Sequence, residues 1–317
     1  MMRLTDSYPG VTVIMPDEQI LPGLKSHYEE SNDKLATHRE RYSKIAEDKV
    51  HFERSHSNIL KGATGLKGSA LIVGIGNATD IPFNELAKQF DKVTVVEIDP
   101  KSIGRALRSL DKDLLKKITV VVADLTGCMA SLAKEVELLK NSTQTAGAFL
   151  KGLMMTLPTL KPKTLAVFGE QQFDYVVSHL VLTQLGTIPL EWVVQATKHL
   201  SSTEPASEVP TAPLLTFVRE LQCQHIRDLH SWAKISAKVY VADTCANYAC
   251  IRPEPQALPI LYETSPSTVA SAVHDTANHL FKLKETSRPW AYYNCPPAHE
   301  SGARGTAYSV QGYLYER

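Results

Sequence analysis

Ala70-Leu-Ile-Val-Gly-Ile-Gly-Asn-Ala78 is the stretch that decides the fold. Ala70–Val73 is a short unbroken apolar run, the signature of a strand buried on both faces. It runs directly into Gly74-Ile-Gly76, where the missing Cβ atoms allow a sharp turn and a close approach to the backbone. Beyond the turn, Phe83, Leu86, Ala87 and Phe90 fall at i, i+3, i+4 and i+7, one apolar face of a helix. Val93–Ile98 is a second strand, and Asp99-Pro100 supplies an N-cap and a first-turn proline. Ile103, Ala106, Leu107 and Leu110 repeat the helical spacing before a third strand, Ile118–Ala123. Strand and helix alternating in this way specify a parallel sheet with crossover helices.

Working outward, residues 126–172 are long for one crossover and read as an insertion of helices that covers one edge of the sheet. Asp174–Ser178 returns to strand, Leu190–Leu200 to helix, and Leu214–Trp232 to a further helix before a strand at Ala237–Ala242. Ser267–Leu283 is expected to be helical, with closing strands at Trp290–Asn294 and Ala307–Leu314. Upstream, residues 1–25 read as an extended arm. His27 to about Leu60 is charged, without Gly or Pro, and carries a sparse apolar stripe of Tyr28, Leu35, Tyr42, Ile45 and Phe52. The expected organisation is an N-terminal arm and helical lid over residues 1–61, then one Rossmann-like α/β domain over 62–317.

The composition narrows the function class. Over 317 residues, Lys+Arg and Asp+Glu balance at 34 each, which argues against a protein that coats nucleic acid or an anionic membrane. No apolar run reaches the length of a membrane span or a signal peptide, so a cytoplasmic protein is expected. The five cysteines are odd in number and scattered. Cys245 and Cys250 have four residues between them, but no nearby Cys/His pair completes a zinc site, so no metal is expected.

Three successive strand ends carry polar chemistry at one edge of the sheet. The first ends in the glycine turn. The second ends in Glu97, 23 residues after Gly74, where a carboxylate can accept hydrogen bonds from both hydroxyls of a ribose. The third ends in Asp124. Open α/β sheets bind ligands at this carboxyl edge. A pyrophosphate would have to meet the mouth of the following helix, yet Asp80 stands there and repels it. The same carboxylate suits the ammonium group of a methionine moiety, unless it serves only as a cap before Pro82.

Ala70–Ala78, Val93–Asp99, Ile118–Gly127 and Phe173–Leu182 resemble the successive motifs of class I S-adenosylmethionine-dependent methyltransferases. The resemblance spans roughly Gly62 to Leu200. It implies a doubly wound, mostly parallel seven-stranded sheet with an antiparallel last strand, and S-adenosylmethionine as cofactor. It places Gly74, Gly76 and Asn77 against the methionine portion, Glu97 on the ribose, Ile98 on the adenine face, Asp124 with Leu125 at the adenine edge, and Ser178 at the end of the fourth motif. The sequence departs from the family pattern at Ile72, where an acidic residue is frequent, and at Ala78, the third glycine position. Glu97-Ile-Asp99 is also similar to aminopropyltransferases, but those carry an Asp where this chain has Ser178-His179.

His179 is the candidate catalytic residue. At the end of the fourth strand it is placed where acceptor and sulfonium meet in the family, and a neutral imidazole can take a proton from a hydroxyl or amine. Tyr42, His51 and Arg54 are candidates to cap the cofactor, and Tyr292 and Tyr293 to line an acceptor pocket. A small-molecule acceptor is expected, with a peptide or protein as the alternative. Two other function classes remain open. A nicotinamide-dependent oxidoreductase would need a proton relay such as Tyr-x-x-x-Lys beyond the fourth strand, which is missing. A catalytically silent Rossmann-like scaffold is kept open by Ile72 and Ala78.

Overall fold

The computed structural model describes residues 8–15, 33, 46–143, 145–185, 212–251, 260–266, 271–294 and 304–317. The strands are β1 (Thr12–Ile14), β2 (Ser69–Val73), β3 (Lys92–Glu97), β4 (Ile118–Val122), β5 (Phe173–His179), β6 (Ala233–Ile251), β7 (Ile260–Pro266), β8 (Lys282–Thr286), β9 (Trp290–Asn294) and β10 (Arg304–Glu316). The helices used below are α1 (Ala46–Ala63), α2 (Phe83–Gln89), α3 (Pro100–Arg108), α4 (Met129–Ser142), α5 (Ala146–Thr156), α6 (Ala212–Trp232) and α7 (Ser271–Leu280).

Seven strands form the body of the sheet in the order β4-β3-β2-β5-β6-β10-β8. β2 lies parallel to both β3 and β5, β5 is parallel to β6, and β10 runs antiparallel between β6 and β8. The expected doubly wound sheet with an antiparallel last strand is present. Three additions widen it. β1 adds a parallel strand at the β4 edge, where an extended arm was expected. β7 and β9 pair with the far halves of β6 and β10, which project beyond the sheet as a long antiparallel ribbon.

Alternation along the strands divides the core into two layers. Ile72, Val95, Tyr175 and Val177 face α1, α2 and α3, whereas Leu71, Val96 and Val176 face α6 and α7. The inserted helices α4 and α5 build a third, smaller cluster through Leu132, Phe149 and Leu153 against Phe217 and Leu221 of α6. α3 starts as the sequence predicts: Asp99 accepts from the backbone N–H groups of Lys101 (2.9 Å) and Ser102 (3.2 Å), with Pro100 in the first turn.

α1 packs differently from the expectation of a polar helix on an apolar stripe. Its buried face is His51, Ser55, Ile59 and Ala63, spaced four apart, and Phe52 is only half-buried. The helix continues to Ala63 and packs on β9, β6 and α2, so it joins the core on that side of the sheet. The helix expected at Leu190–Leu200, and most of the one expected from His27, lie outside the described residues. The expected Ser267–Leu283 helix is α7, which ends at Leu280, before β8; residues 267–270 lie outside the described residues.

Candidate active site at the carboxyl edge of the sheet

The glycine turn leaves β2 with left-handed backbone at every second residue: Gly74 at φ +68°, Gly76 at +51° and Ala78 at +55°. The two glycines serve different needs. A Cβ on Gly74 would stand 2.7 Å from Cγ2 of Val181, so the chain after β5 packs directly on this residue. A Cβ on Gly76 would meet nothing within 4 Å. Gly76 therefore borders open space, where backbone can meet a ligand. Ala78 holds the left-handed conformation with a side chain, which costs about 1 kcal/mol.

Glu97 is tied to this turn. Its Oε2 accepts from Gly76 N (2.8 Å) and its Oε1 from Ile98 N (2.8 Å) and Asp99 N (3.2 Å). Burial pushes its carboxyl above the ordinary range, and those three backbone donors pull the other way. An ionised carboxylate offers about four acceptor positions, so Oε2 keeps capacity for a ligand hydroxyl beside Gly76. Asn77 is oriented by Arg105, whose Nε donates to Asn77 Oδ1 at 2.6 Å and whose Nη1 donates to Asp33 Oδ1 at 2.8 Å. Ile98 is buried beside Glu97.

The next two residues of the expected set are drawn into the protein. Asp124 accepts from Thr126 N and Thr126 Oγ1 through Oδ1 (both 2.8 Å) and from Met129 N through Oδ2 (3.0 Å), which fixes the turn into α4. Leu125 packs on the α6 side of the core. Ser178 faces the same side, because successive residues of a strand point to opposite faces. Its hydroxyl pairs with Nε2 of buried His225 at 2.9 Å on that side of the sheet.

His179 points to the other face and is fully buried. Asp80 stands beside it. The N-cap position of α2 is Pro82 and carries no side-chain capping bond, so Asp80 is not serving as the cap. Instead its Oδ2 lies 3.7 Å from His179 Nε2 and 4.0 Å from His51 Nε2 of α1. The His179 ring stacks over Tyr240 of β6, with centroids 6.3 Å apart. After His179 the chain turns through Leu180 at φ +58°, with Leu180 N donating to Ala242 O at 2.7 Å. Two strained non-glycine residues, Ala78 and Leu180, thus flank the meeting point of Asp80 and His179, a pattern that strain follows at functional sites.

Three residues here were not singled out from the sequence: Tyr240, Asp243 and Trp290. Asp243 accepts from Thr183 N (2.9 Å), Thr244 N (2.7 Å) and the Thr183 hydroxyl, which locks the chain after His179 to β6. Trp290 donates its indole N–H to Nδ1 of His51 at 3.0 Å. His51 itself was a candidate from its helix, while its companion Arg54 is exposed. The side chains of Tyr42, Tyr292 and Tyr293 lie outside the described residues. His51, Asp80 and His179 also form a group whose donor atoms all lie within 4.8 Å of one another. No helix among the described residues is long and apolar enough to cross a membrane.

No family model matches the chain, and no curated protein matches it. Similar solved structures include the N-methyltransferase NodS from Bradyrhizobium japonicum in complex with S-adenosyl-L-homocysteine, 12% identical over 92% of this chain and 98% of that one, with a TM-score of 0.43. A TehB-like SAM-dependent methyltransferase from Corynebacterium glutamicum is 12% identical over 89% and 97%, with a TM-score of 0.40. A S-adenosylmethionine-dependent methyltransferase from Clostridium acetobutylicum is 7% identical over 90% and 98%, with a TM-score of 0.42.

Proposed function

We propose that this protein is an S-adenosylmethionine-dependent methyltransferase that methylates oxygen or nitrogen of a small molecule. One observation carries the reading: at the carboxyl edge of β2, β3 and β5, a glycine turn open to solvent at Gly76, a carboxylate fixed to that turn at Glu97, and an imidazole paired with a carboxylate at His179 and Asp80 come together. The cofactor supplies a methyl group on a cationic sulfur that leaves as a neutral thioether. In this reading Glu97 takes the ribose hydroxyls, Gly74, Gly76 and Asn77 border the methionine end, and Ile98 lies under the adenine. Asp80 faces the two imidazoles, which leaves less of its charge for the ammonium group than the sequence alone suggested.

His179 is the proposed general base. Methyl transfer needs aligned reactants above all, and a base contributes when the acceptor must shed a proton. The complete burial of His179 supports a small acceptor over a folded protein, whose side chains would have to reach through the α1 layer. The test is release of S-adenosylhomocysteine from S-adenosylmethionine over panels of small phenols, alcohols and amines and over a peptide library. Turnover on the small-molecule panels is expected. Turnover confined to peptides would move the acceptor class, and NADH binding with no adenosyl-ligand binding would move the protein to the oxidoreductases.

A further inference from the structure

Four side chains from four separate segments meet in one line beside the end of β5. Trp290 comes from β9, His51 from α1, Asp80 from the turn between β2 and α2, and His179 from β5. The His51 ring lies 6.4 Å from the Trp290 ring and 6.0 Å from the His179 ring, centroid to centroid. Trp290 is 7% exposed, both imidazoles have no exposed side-chain surface, and the Asp80 side chain is 13% exposed.

Hydrogen-bond chemistry orders this line. An indole nitrogen only donates. Because Trp290 Nε1 donates to His51 Nδ1, that nitrogen must present its lone pair, and the neutral ring carries its proton on Nε2. His51 Nε2–H is thereby turned to the Asp80 carboxylate. His179 Nε2 faces the same carboxylate oxygen from the other side, and a nitrogen facing an anionic oxygen is favoured as N–H. Both N···O separations, 3.7 Å and 4.0 Å, are longer than a direct hydrogen bond, so the carboxylate acts on both rings electrostatically.

We infer that Trp290 and His51 are positioning residues: they set the Asp80 carboxylate against Nε2–H of His179, so that Nδ1 of His179 is the atom that accepts a proton. Resting on the proposed methyltransferase reading, this defines the acceptor class. The nucleophilic oxygen or nitrogen carries a proton that must leave, as in a hydroxyl or a primary or secondary amine, and not a tertiary amine or a thioether. The proton passes from the acceptor to His179 Nδ1, the methyl carbon bonds to the acceptor, and the electron pair of the broken C–S bond stays on sulfur. Asp80 remains ionised and offsets the imidazolium. A metal ion held by His51, Asp80 and His179 would need a lone pair on His51 Nε2, where the indole bond leaves a proton.

The test reads tautomers directly. In protein labelled with 15N-histidine, at a pH where the imidazoles are neutral, long-range 1H–15N correlation spectra should show His51 and His179 both protonated on Nε2 and bare on Nδ1. This needs no folding-sensitive variant. Trp290→Phe should release His51 into a mixture of tautomers. His51→Gln, whose amide can accept from the indole and donate to Asp80, should keep the His179 tautomer, whereas His51→Leu should lose it. With an acceptor in hand, Trp290→Phe should lower kcat about a hundredfold with KM little changed. His51 protonated on Nδ1, or spectra that ignore Trp290→Phe, would overturn the inference. So would stoichiometric Zn²⁺ that coordinates Nε2 of both rings. A parallel titration with S-adenosylhomocysteine separates the two levels. Binding without the tautomer lock sinks only this inference. The lock without binding sinks the methyltransferase reading and the proton-accepting role with it.

Discussion

Ser178 and His179 are neighbours on one strand, yet each meets a different histidine environment. Ser178 turns towards α6 and pairs with His225, and burial alone drops His225 to about 4. His179 turns towards α1 and meets Asp80. A buried imidazole beside a neutral hydroxyl is held uncharged and serves as packing with one satisfied nitrogen. A buried imidazole beside a carboxylate can take up a proton, because the counter-charge is already in place. The strand's two-residue period thus sends Ser178 to a buried histidine of α6 and sets His179, the proposed base, beside a carboxylate.

The largest expected effect breaks the chemical side. His179→Ala should lower kcat by about 10²- to 10⁴-fold, the usual contribution of a general base, with S-adenosylhomocysteine affinity retained. Steady-state kinetics and calorimetry on the same variant check both halves. His225→Gln should leave kcat within a few fold.

The structural side is sharpened by pH. His225 has a folded pKa below its unfolded 6.5, so the unfolded chain binds the extra proton and stability is lost as pH falls from 6.5 to about 4. The full swing is about 3 kcal/mol. Asp243 has the opposite sign. Burial raises it from 3.8 to about 6, so the folded chain binds the extra proton and stability is gained as pH falls from about 6 to 3.8, again by about 3 kcal/mol. The two windows overlap and oppose each other. Relative to wild type, urea denaturation at pH 7, 5.5 and 4.5 should show His225→Gln gaining stability on acidification and Asp243→Asn losing it. Parallel curves for all three proteins would contradict the assignment.

The smallest expected effect is at the turn. Ala78→Gly relieves a left-handed φ, and should raise stability by about 1 kcal/mol, less the entropy that glycine adds to the unfolded chain. Thermal unfolding measures it.

The central sheet was legible because its signals are local. The apolar runs of β2, β3 and β4, the Asp99 cap and the helix spacing at Ile103–Leu107 are each contained in a few residues. Glu97 was legible for the same reason, since strand end and glycine turn stand a fixed distance apart in a βαβ unit. The face of α1 was not. His51 and Ser55 look solvated in sequence, and only the tertiary contact with Trp290, 239 residues away, makes them interior. Trp290 reaches His51 because β9 pairs with β10, a long-range register that no local pattern encodes. Asp124 and Ser178 sit at the predicted edge, but their side chains are spent on the α4 turn and on His225. Strand-end position alone does not report which way a side chain turns or what holds it.

In the proposed function, Glu97 and the Gly76 turn form the ribose end of an adenosyl site. Calorimetric titration of the purified protein with S-adenosylhomocysteine, beside Glu97→Gln, measures that role. Gln removes the charge and keeps an acceptor oxygen for Gly76 N, but its amide nitrogen then faces the Ile98 and Asp99 N–H donors that Oε1 accepts from. With folding of the variant checked by thermal unfolding, it should bind weaker by at least about 1.5–3 kcal/mol, the worth of a charged hydrogen bond. A wild-type protein that binds no adenosyl ligand, or a Glu97→Gln variant that binds it as tightly, would contradict the claim.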